Sequence, residues 1–183
     1  VFRRVVEEET ITHSFLVPTV LYRLLELQLA KPRQLGSLRT IVYGAAPMSP
    51  ARLSDLIESF GPIFAQAYAA TESPALVSVL QKSDHRIDTP EGRARLASAG
   101  SITPGVEVTI TDSEGSSVPC GEIGEIRIRS RAVIPGYLDN PEATDAEFDD
   151  GTWRSGDLGY IDEGGYLYIV DRLKDMIISG GFN

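Results

Sequence analysis

One cysteine in 183 residues, Cys120, excludes any intrachain disulfide framework and any cysteine-built zinc cluster. It stands in the turn Val118-Pro119-Cys120-Gly121, where it reads as a bystander rather than a reactive thiol. Histidine is nearly as scarce: His13 and His85 lie far apart and lack metal-ligand spacing. No apolar run approaches the ~18 residues of a membrane span and no signal peptide opens the chain, so we expect a soluble, cytoplasmic protein. Positive charge is also in short supply, with 17 Lys and Arg against 26 Asp and Glu and a net charge of -9. That balance argues against nucleic acid as the main partner. It leaves room for a single nucleotide, which a few local donors and a metal can hold within an acidic protein. An initiator Met is missing, and the stop at Gly180-Gly181-Phe182-Asn183 follows an apolar run, so we expect an internal piece of a longer protein.

What is present follows two rhythms. Thr10 to Val17 is β-branched and aromatic, a predicted strand, and Pro18-Thr19 then opens a helix with an apolar face at Val20, Leu21, Leu24 and Leu25. Lys31-Pro32 should end that helix. Leu38 to Tyr43 is the next predicted strand, and the small-residue turn Gly44-Ala45-Ala46-Pro47 follows it. Ser49 is predicted to cap a second helix with Pro50 at its first position and Leu53, Leu56, Ile57 and Phe60 on one stripe. Strand, helix, strand, helix, strand predicts an α/β layer with a mostly parallel sheet. Lys82 to Ala99 reads as loop with one short helix. After Gly100 the chain alternates, in 106–111, 124–129 and 166–170, which predicts a small antiparallel β subdomain. A short helix opened by Asn140 is expected over Pro141 to Phe148.

The stretch Gln66 to Pro74 is the centre of the chain's chemistry. Its flanks, 61–65 and 75–80, read as strands. Ala67, Ala69 and Ala70 leave the backbone open to something bulky, while Tyr68 offers a flat face, Thr71 a hydroxyl and Glu72 a carboxylate. Such a loop can stack a base, meet a phosphate and hold a hard cation. Taken alone it also fits an ordinary connection whose tyrosine plugs the core. In an α/β sheet, ligands sit beyond the carboxyl ends of the strands, the rim where both this loop and Gly44 to Pro47 are expected. Asp157, in Ser155-Gly156-Asp157 before a predicted strand start, suits either a turn cap or both hydroxyls of a ribose. Arg172, in Asp171-Arg172-Leu173-Lys174-Asp175, belongs either to a solvated hairpin turn or to a charge-assisted bond with ribose or phosphate.

Taken in order, these four motifs resemble those of the adenylate-forming superfamily, which includes acyl- and aryl-CoA synthetases, luciferases and the adenylation domains of peptide synthetases. The resemblance covers essentially the whole chain. The run Asp175 to Asn183 is most similar to synthetases of the fatty- and aryl-acid type. The resemblance implies ATP/AMP, Mg2+ and coenzyme A as cofactors and a small carboxylic acid as substrate. It implies that Ala45, Ala46 and Pro47 line the adenine, with Gly44, Gln66, Ala67 and Ala69 beside the nucleotide and Tyr68 stacked on the base. Tyr43 and Gly44 would border the acyl pocket. Thr71 would contact the phosphate and the acyl carboxylate, Glu72 would hold Mg2+, and Asp157 would take the ribose with Arg172 beside it. Lys174 would be the hinge, and Ser179, Gly180 and Gly181 the loop approaching the pantetheine arm.

The family usually has glycine where this chain has Ala67 and Ala69, so the backbone's approach to a ligand is narrower by two methyl groups. The family's Ser/Thr/Gly-rich phosphate loop and its catalytic lysine are expected upstream of Val1 and downstream of Asn183, so the segment is expected to be inactive alone. The expected division is 1–99 for the C-terminal part of the large α/β domain, 100–171 for the β subdomain, and 172–183 for the hinge and the start of a further domain. An adenylating enzyme that delivers to a carrier protein, and a non-catalytic nucleotide-binding segment, are the alternatives to an acyl-CoA synthetase.

The hinge reading yields a prediction. Proline fixes φ near -65° and cannot absorb a hinge rotation. In the full-length protein, Lys174→Pro should leave pyrophosphate release within roughly tenfold of wild type, about 1.4 kcal/mol of barrier. Thioester formation from supplied acyl-AMP should fall far more, and equal losses in the two steps would remove the hinge role.

Overall fold

A computed structural model describes residues 2–26 and 36–173. In chain order its first elements are α1 (Phe2–Glu8), β1 (His13–Leu16), α2 (Pro18–Glu26), β2 (Thr40–Gly44), α3 (Pro50–Phe60), β3 (Phe64–Tyr68) and β4 (Ser78–Leu80). A 3-10 turn (Lys82–Asp84), α4 (Pro90–Arg95), β5 (Gly100–Ile102), β6 (Val106–Thr111) and β7 (Gly124–Ser130) follow. The described residues end with α5 (Pro141–Glu147), β8 (Phe148–Asp149), β9 (Thr152–Ile161) and β10 (Tyr166–Arg172). The described residues fall into two compact units, one of 2–26, 36–67 and 80–97 and one of 68–79 and 98–173.

The first unit is an α/β layer. β1, β2 and β3 are parallel, with Phe15 opposite Val42 and Tyr43 opposite Gln66. Alternate residues of β2, Ile41 and Tyr43, are buried, and they pack in one core with Leu21 and Leu24 of α2 and Leu53 and Leu56 of α3. Pro18 and Pro50 start their helices as the sequence predicts, because a first-turn proline gives up an N–H that has no helical partner. Ser49 corrects an expectation. It stands at the N-cap of α3, but its side chain makes no capping bond. Its backbone N–H instead donates to the Tyr22 hydroxyl at 2.9 Å, and Pro50 has already removed one donor that a cap would serve. The first residues carried no predicted element. α1 forms there and buries Val6 with Phe2 packed beside the same core, a pair four residues apart that is too sparse to show as periodicity.

The second unit is antiparallel throughout. β4 pairs with β5, β5 with β10, β10 with β9, β9 with β7 and β7 with β6, while the short β8 pairs with β9. The alternation read in 124–129 is visible in β7, where Ile126 and Ile128 are buried beside Leu167 and Trp153, the chain's one tryptophan. The longer stretch of this unit begins at Ser98. Residues 68–79 also belong to it, through contacts such as the Thr103 N–H donating to the Val77 carbonyl at 3.0 Å. Of the flank 75–80, only Ser78–Leu80 is strand.

His85 decides a property of the first unit. It is buried, with Nε2 3.0 Å from the Tyr43 hydroxyl and Nδ1 2.8 Å from the Gln81 carbonyl. A neutral ring suits both contacts, donating from Nδ1 and accepting at Nε2. Burial pushes its pKa below the ordinary 6.5, with the Gln81 carbonyl and Asp84 offsetting part of that. The neutral ring therefore contributes stability that is full above the unfolded value and lost as pH falls below it, because the unfolded chain then binds the extra proton. The melting temperature of wild type should drop more between about pH 7.5 and about pH 5.5 than that of His85→Gln. Parallel pH profiles for the two proteins would exclude His85 as the titrating group.

Candidate active site

Asp157 lies within β9 rather than before a strand start, because the strand is broken open around it. Glu125 pairs with Leu158 but Arg127 pairs with Arg154, so β9 spends extra residues on Ser155-Gly156-Asp157. On the other side β10 spends an extra residue at Val170, since Ile169 faces Gly159 and Asp171 faces Leu158. Bulges of this kind re-aim a side chain out of the strand's alternation. Gly156 takes φ +68°, a left-handed conformation that glycine adopts without strain. The Ser155 hydroxyl locks the bulge, donating to the Ile126 carbonyl at 2.6 Å and accepting from the Asp157 N–H at 3.1 Å.

Asp157 is buried, with its side chain 6% exposed. The Tyr68 hydroxyl donates to Oδ2 at 2.6 Å, and the Arg172 Nε lies 2.9 Å from Oδ1. Burial and then the Asp157 charge raise the Tyr68 pKa well above its usual value, so the phenol remains a donor. Three residues singled out from sequence, 89 positions apart between Tyr68 and Asp157, thus meet in one cluster around a buried carboxylate. Each carboxylate oxygen keeps a further lone pair, enough to accept a pair of vicinal hydroxyls.

Thr71 and Glu72 occupy the tip of a turn closed by reciprocal backbone bonds, Ala70 N–H to the Ser73 carbonyl and Ser73 N–H to the Ala70 carbonyl. Thr71 and Ala69 are exposed and Glu72 is half-buried. The Glu72 carbonyl accepts from the Ile134 N–H at 2.9 Å, and Glu72 Oε1 accepts from the Tyr137 hydroxyl at 2.9 Å. The same hydroxyl lies 2.6 Å from Glu147 Oε2. Burial first, and then the two carboxylates, raise the Tyr137 pKa far above the ordinary phenol value. Among the described residues no group of three His, Cys, Asp or Glu side chains gathers to hold a metal. Mg2+ needs no such group, since it ordinarily takes one or two carboxylates and fills its shell with water and phosphate oxygens. Glu72 fits that demand: Oε1 is held by Tyr137, and Oε2 accepts no hydrogen bond among the described residues.

In the first unit, Gly44 is the register partner of Ala67, and a Cβ on Gly44 would stand 2.4 Å from the Ala67 carbonyl oxygen. Only glycine allows β2 and β3 that approach. Ala45 follows with φ +62°, an uncommon conformation for a residue with a side chain. Ala46 is half-buried, Ala45 and Pro47 are exposed, and Gln66 is half-buried on β3. Tyr43, expected at the border of an acyl pocket, has no exposed surface; its ring packs edge-on against Phe64 and His85. Lys174, Ser179, Gly180 and Gly181 lie outside the described residues. Tyr137 and Glu147 carried no sequence expectation. Their one signal is the Gly136-Tyr137 step before the capped helix α5, where Asn140 Oδ1 accepts from the Ala143 N–H as expected.

Comparison with known proteins bears directly on this arrangement. The AMP-binding enzyme family model matches residues 1–138. The medium/long-chain-fatty-acid–CoA ligase FadD8 of Mycobacterium tuberculosis is 43% identical over 180 residues, covering 98% of this chain and 30% of that protein. The feruloyl-CoA synthase of an Amycolatopsis species is 39% identical over 178 residues, 97% of this chain and 35% of that one. The solved amide bond synthetase McbA from Marinactinospora thermotolerans superposes with a TM-score of 0.89 at 38% identity, over 100% of this chain and 36% of its own. The chain therefore spans about a third of the length of the proteins it matches. Among the described residues no helix is long and apolar enough to cross a membrane. Similarity of this depth along nearly every residue means that the chain belongs to the AMP-binding enzyme family.

Proposed function

We propose that the protein carrying this chain is an ATP-dependent acyl-CoA synthetase. It joins a carboxylic acid to ATP, releasing pyrophosphate, and then passes the acyl group from acyl-AMP to coenzyme A. The observation that carries this reading is the buried Asp157 carboxylate, held by Tyr68 and Arg172 in a chain whose relatives are named as CoA ligases for fatty and ferulic acids. A cytoplasmic location, where ATP and coenzyme A are at hand, is part of the proposal.

Each residue then has a task. Asp157 accepts the ribose hydroxyls on its remaining lone pairs, with Arg172 beside it balancing the charge. Tyr68 offers its ring to the adenine while its hydroxyl stays anchored, and Ala45, Ala46 and Pro47 line the base with Gly44, Gln66, Ala67 and Ala69 beside the nucleotide. Thr71, exposed at the turn tip, contacts the phosphate and the acid's carboxylate, orienting that carboxylate toward the α-phosphorus. Mg2+ held with Glu72 would supply charge neutralisation on the polyphosphate. The acid's oxygen bonds to the α-phosphorus as the bond to pyrophosphate breaks, and no covalent bond to the protein forms. Lys174 is the hinge for the second step, and Ser179 to Gly181 approach the pantetheine arm.

A second reading concerns only the acceptor. The neighbour McbA is named an amide bond synthetase, which favours an amine in place of the thiol. Offering coenzyme A or an amine to preformed acyl-AMP separates the two.

Asp157→Ala in the full-length protein should weaken ATP binding by roughly 1–3 kcal/mol, the usual loss for a hydrogen bond made by a charged group. Calorimetric titration with ATP measures it, with circular dichroism as the control for folding. Wild-type affinity in the folded variant would end the ribose assignment.

A further inference from the structure

The Tyr137 hydroxyl faces two carboxylates, at 2.6 Å from Glu147 Oε2 and 2.9 Å from Glu72 Oε1. It carries one proton, so it donates to only one of them at a time. Whichever carboxylate is left without the proton is turned toward the hydroxyl's lone pairs, and the two carboxylates repel one another across it. A positive charge arriving at Glu72 would resolve the conflict. We propose that Glu147 is the alternative acceptor of the Tyr137 hydrogen bond, and that by accepting it Glu147 releases Glu72 Oε1, so that both oxygens of Glu72 are open to a divalent cation. Tyr137 and Glu147 are then positioning residues. The inference rests on the reading of Glu72 as the cation's carboxylate.

The surroundings hold all three groups in place for such an exchange. Glu72 is fixed through its backbone by the Ile134 N–H, three residues before Tyr137. The Tyr137 N–H donates to Thr144 Oγ1 at 2.9 Å, and Thr144 stands three positions before Glu147 on α5, on the same helical face. The Tyr137 ring packs edge-on against Phe148, with centroids 5.4 Å apart. Gly136 makes the approach possible: its φ is +150°, and a Cβ there would stand 2.4 Å from Thr144 Cγ2. Nothing needs to move far, because the hydroxyl rotates about its own C–O bond and both acceptors are already within reach. The exchange moves a hydrogen bond and leaves the count of protons unchanged, since Tyr137 keeps its proton in both states.

A knot of hydrogen bonds serving only stability would look similar in outline, and metal binding separates the two. Mn2+ is titrated into the full-length protein holding ATP, with free Mn2+ read by electron paramagnetic resonance. Glu147→Ala leaves the Tyr137 hydrogen bond on Glu72, and Mn2+ should bind about tenfold more weakly, the worth of a competing charge-assisted hydrogen bond. Glu147→Gln keeps a weaker acceptor and should lose about twofold to threefold; it stands in for the alanine variant if that one does not fold. In a Tyr137→Phe background the proton is gone, so the same Glu147 change should have no further effect. Unchanged Mn2+ affinity in the Glu147 variants would overturn the proposal. An equal loss in the Tyr137→Phe background would also overturn it, since Glu147 would then act through its charge alone. If Glu72→Ala left the Mn2+ affinity of the ATP-bound protein at the wild-type value, the reading of Glu72 itself would fall and take this inference with it.

Discussion

A carboxylate almost cut off from water is the constraint on which the second unit depends. Moving an isolated charge into a protein interior costs several kcal/mol. Asp157 meets that cost with the Arg172 guanidinium on one oxygen and the Tyr68 hydroxyl on the other. The three residues come from β9, β10 and the end of β3, positions distant in sequence. The two bulges follow from the same demand. A regular β9 would alternate its side chains in and out; the extra residues at Ser155-Gly156-Asp157 and at Val170 turn Asp157 to where its partners stand. Removing any one of the three strands the others, which is why such clusters are either complete or costly.

The local parts of this fold are legible in the sequence because their causes are local. Pro18, Pro50 and Pro141 each mark a helix start, Asn140 caps α5 as expected, and the strict alternation of 106–111 and 124–129 becomes β6 and β7. The order of strand and helix up to β3 is enough for the parallel layer. What escapes is set by partners far along the chain. Ser49 has the composition of a cap, yet its N–H is taken by Tyr22 from 27 positions away. His85 looks like any surface histidine until Tyr43 and the Gln81 carbonyl enclose it. Glu72 can be picked out by its loop, but the tyrosine that holds it comes 65 residues later, with no periodicity to announce it. Asp157 sits between these cases. Its chemical type suggests what it holds, whereas its bulged setting depends on how β7 and β10 pair with β9.

The first unit relies on a steric constraint where the second relies on charge. Gly44 lets β2 come against the Ala67 carbonyl, and the chain then leaves the strand through Ala45 at positive φ. A residue with a Cβ in that region costs about 1–2 kcal/mol relative to an ordinary conformation. The turn from β2 therefore carries backbone strain that the packed layer behind it must sustain. Small residues there are a geometric requirement in the case of Gly44 and a cost in the case of Ala45.

Trp153 gives the molecule an optical asymmetry. It is the chain's one tryptophan, 4% exposed in the core of the second unit, with an indole N–H that has no hydrogen-bond partner among the described residues. The described part of the first unit carries only Tyr22 and Tyr43 as phenols. Emission excited at the red edge of the indole band thus comes from one unit alone. An indole shielded from water emits to the blue of an exposed one, so the colour of that emission reports the opening of the antiparallel unit. One wavelength therefore follows one body within the chain, without a label on it.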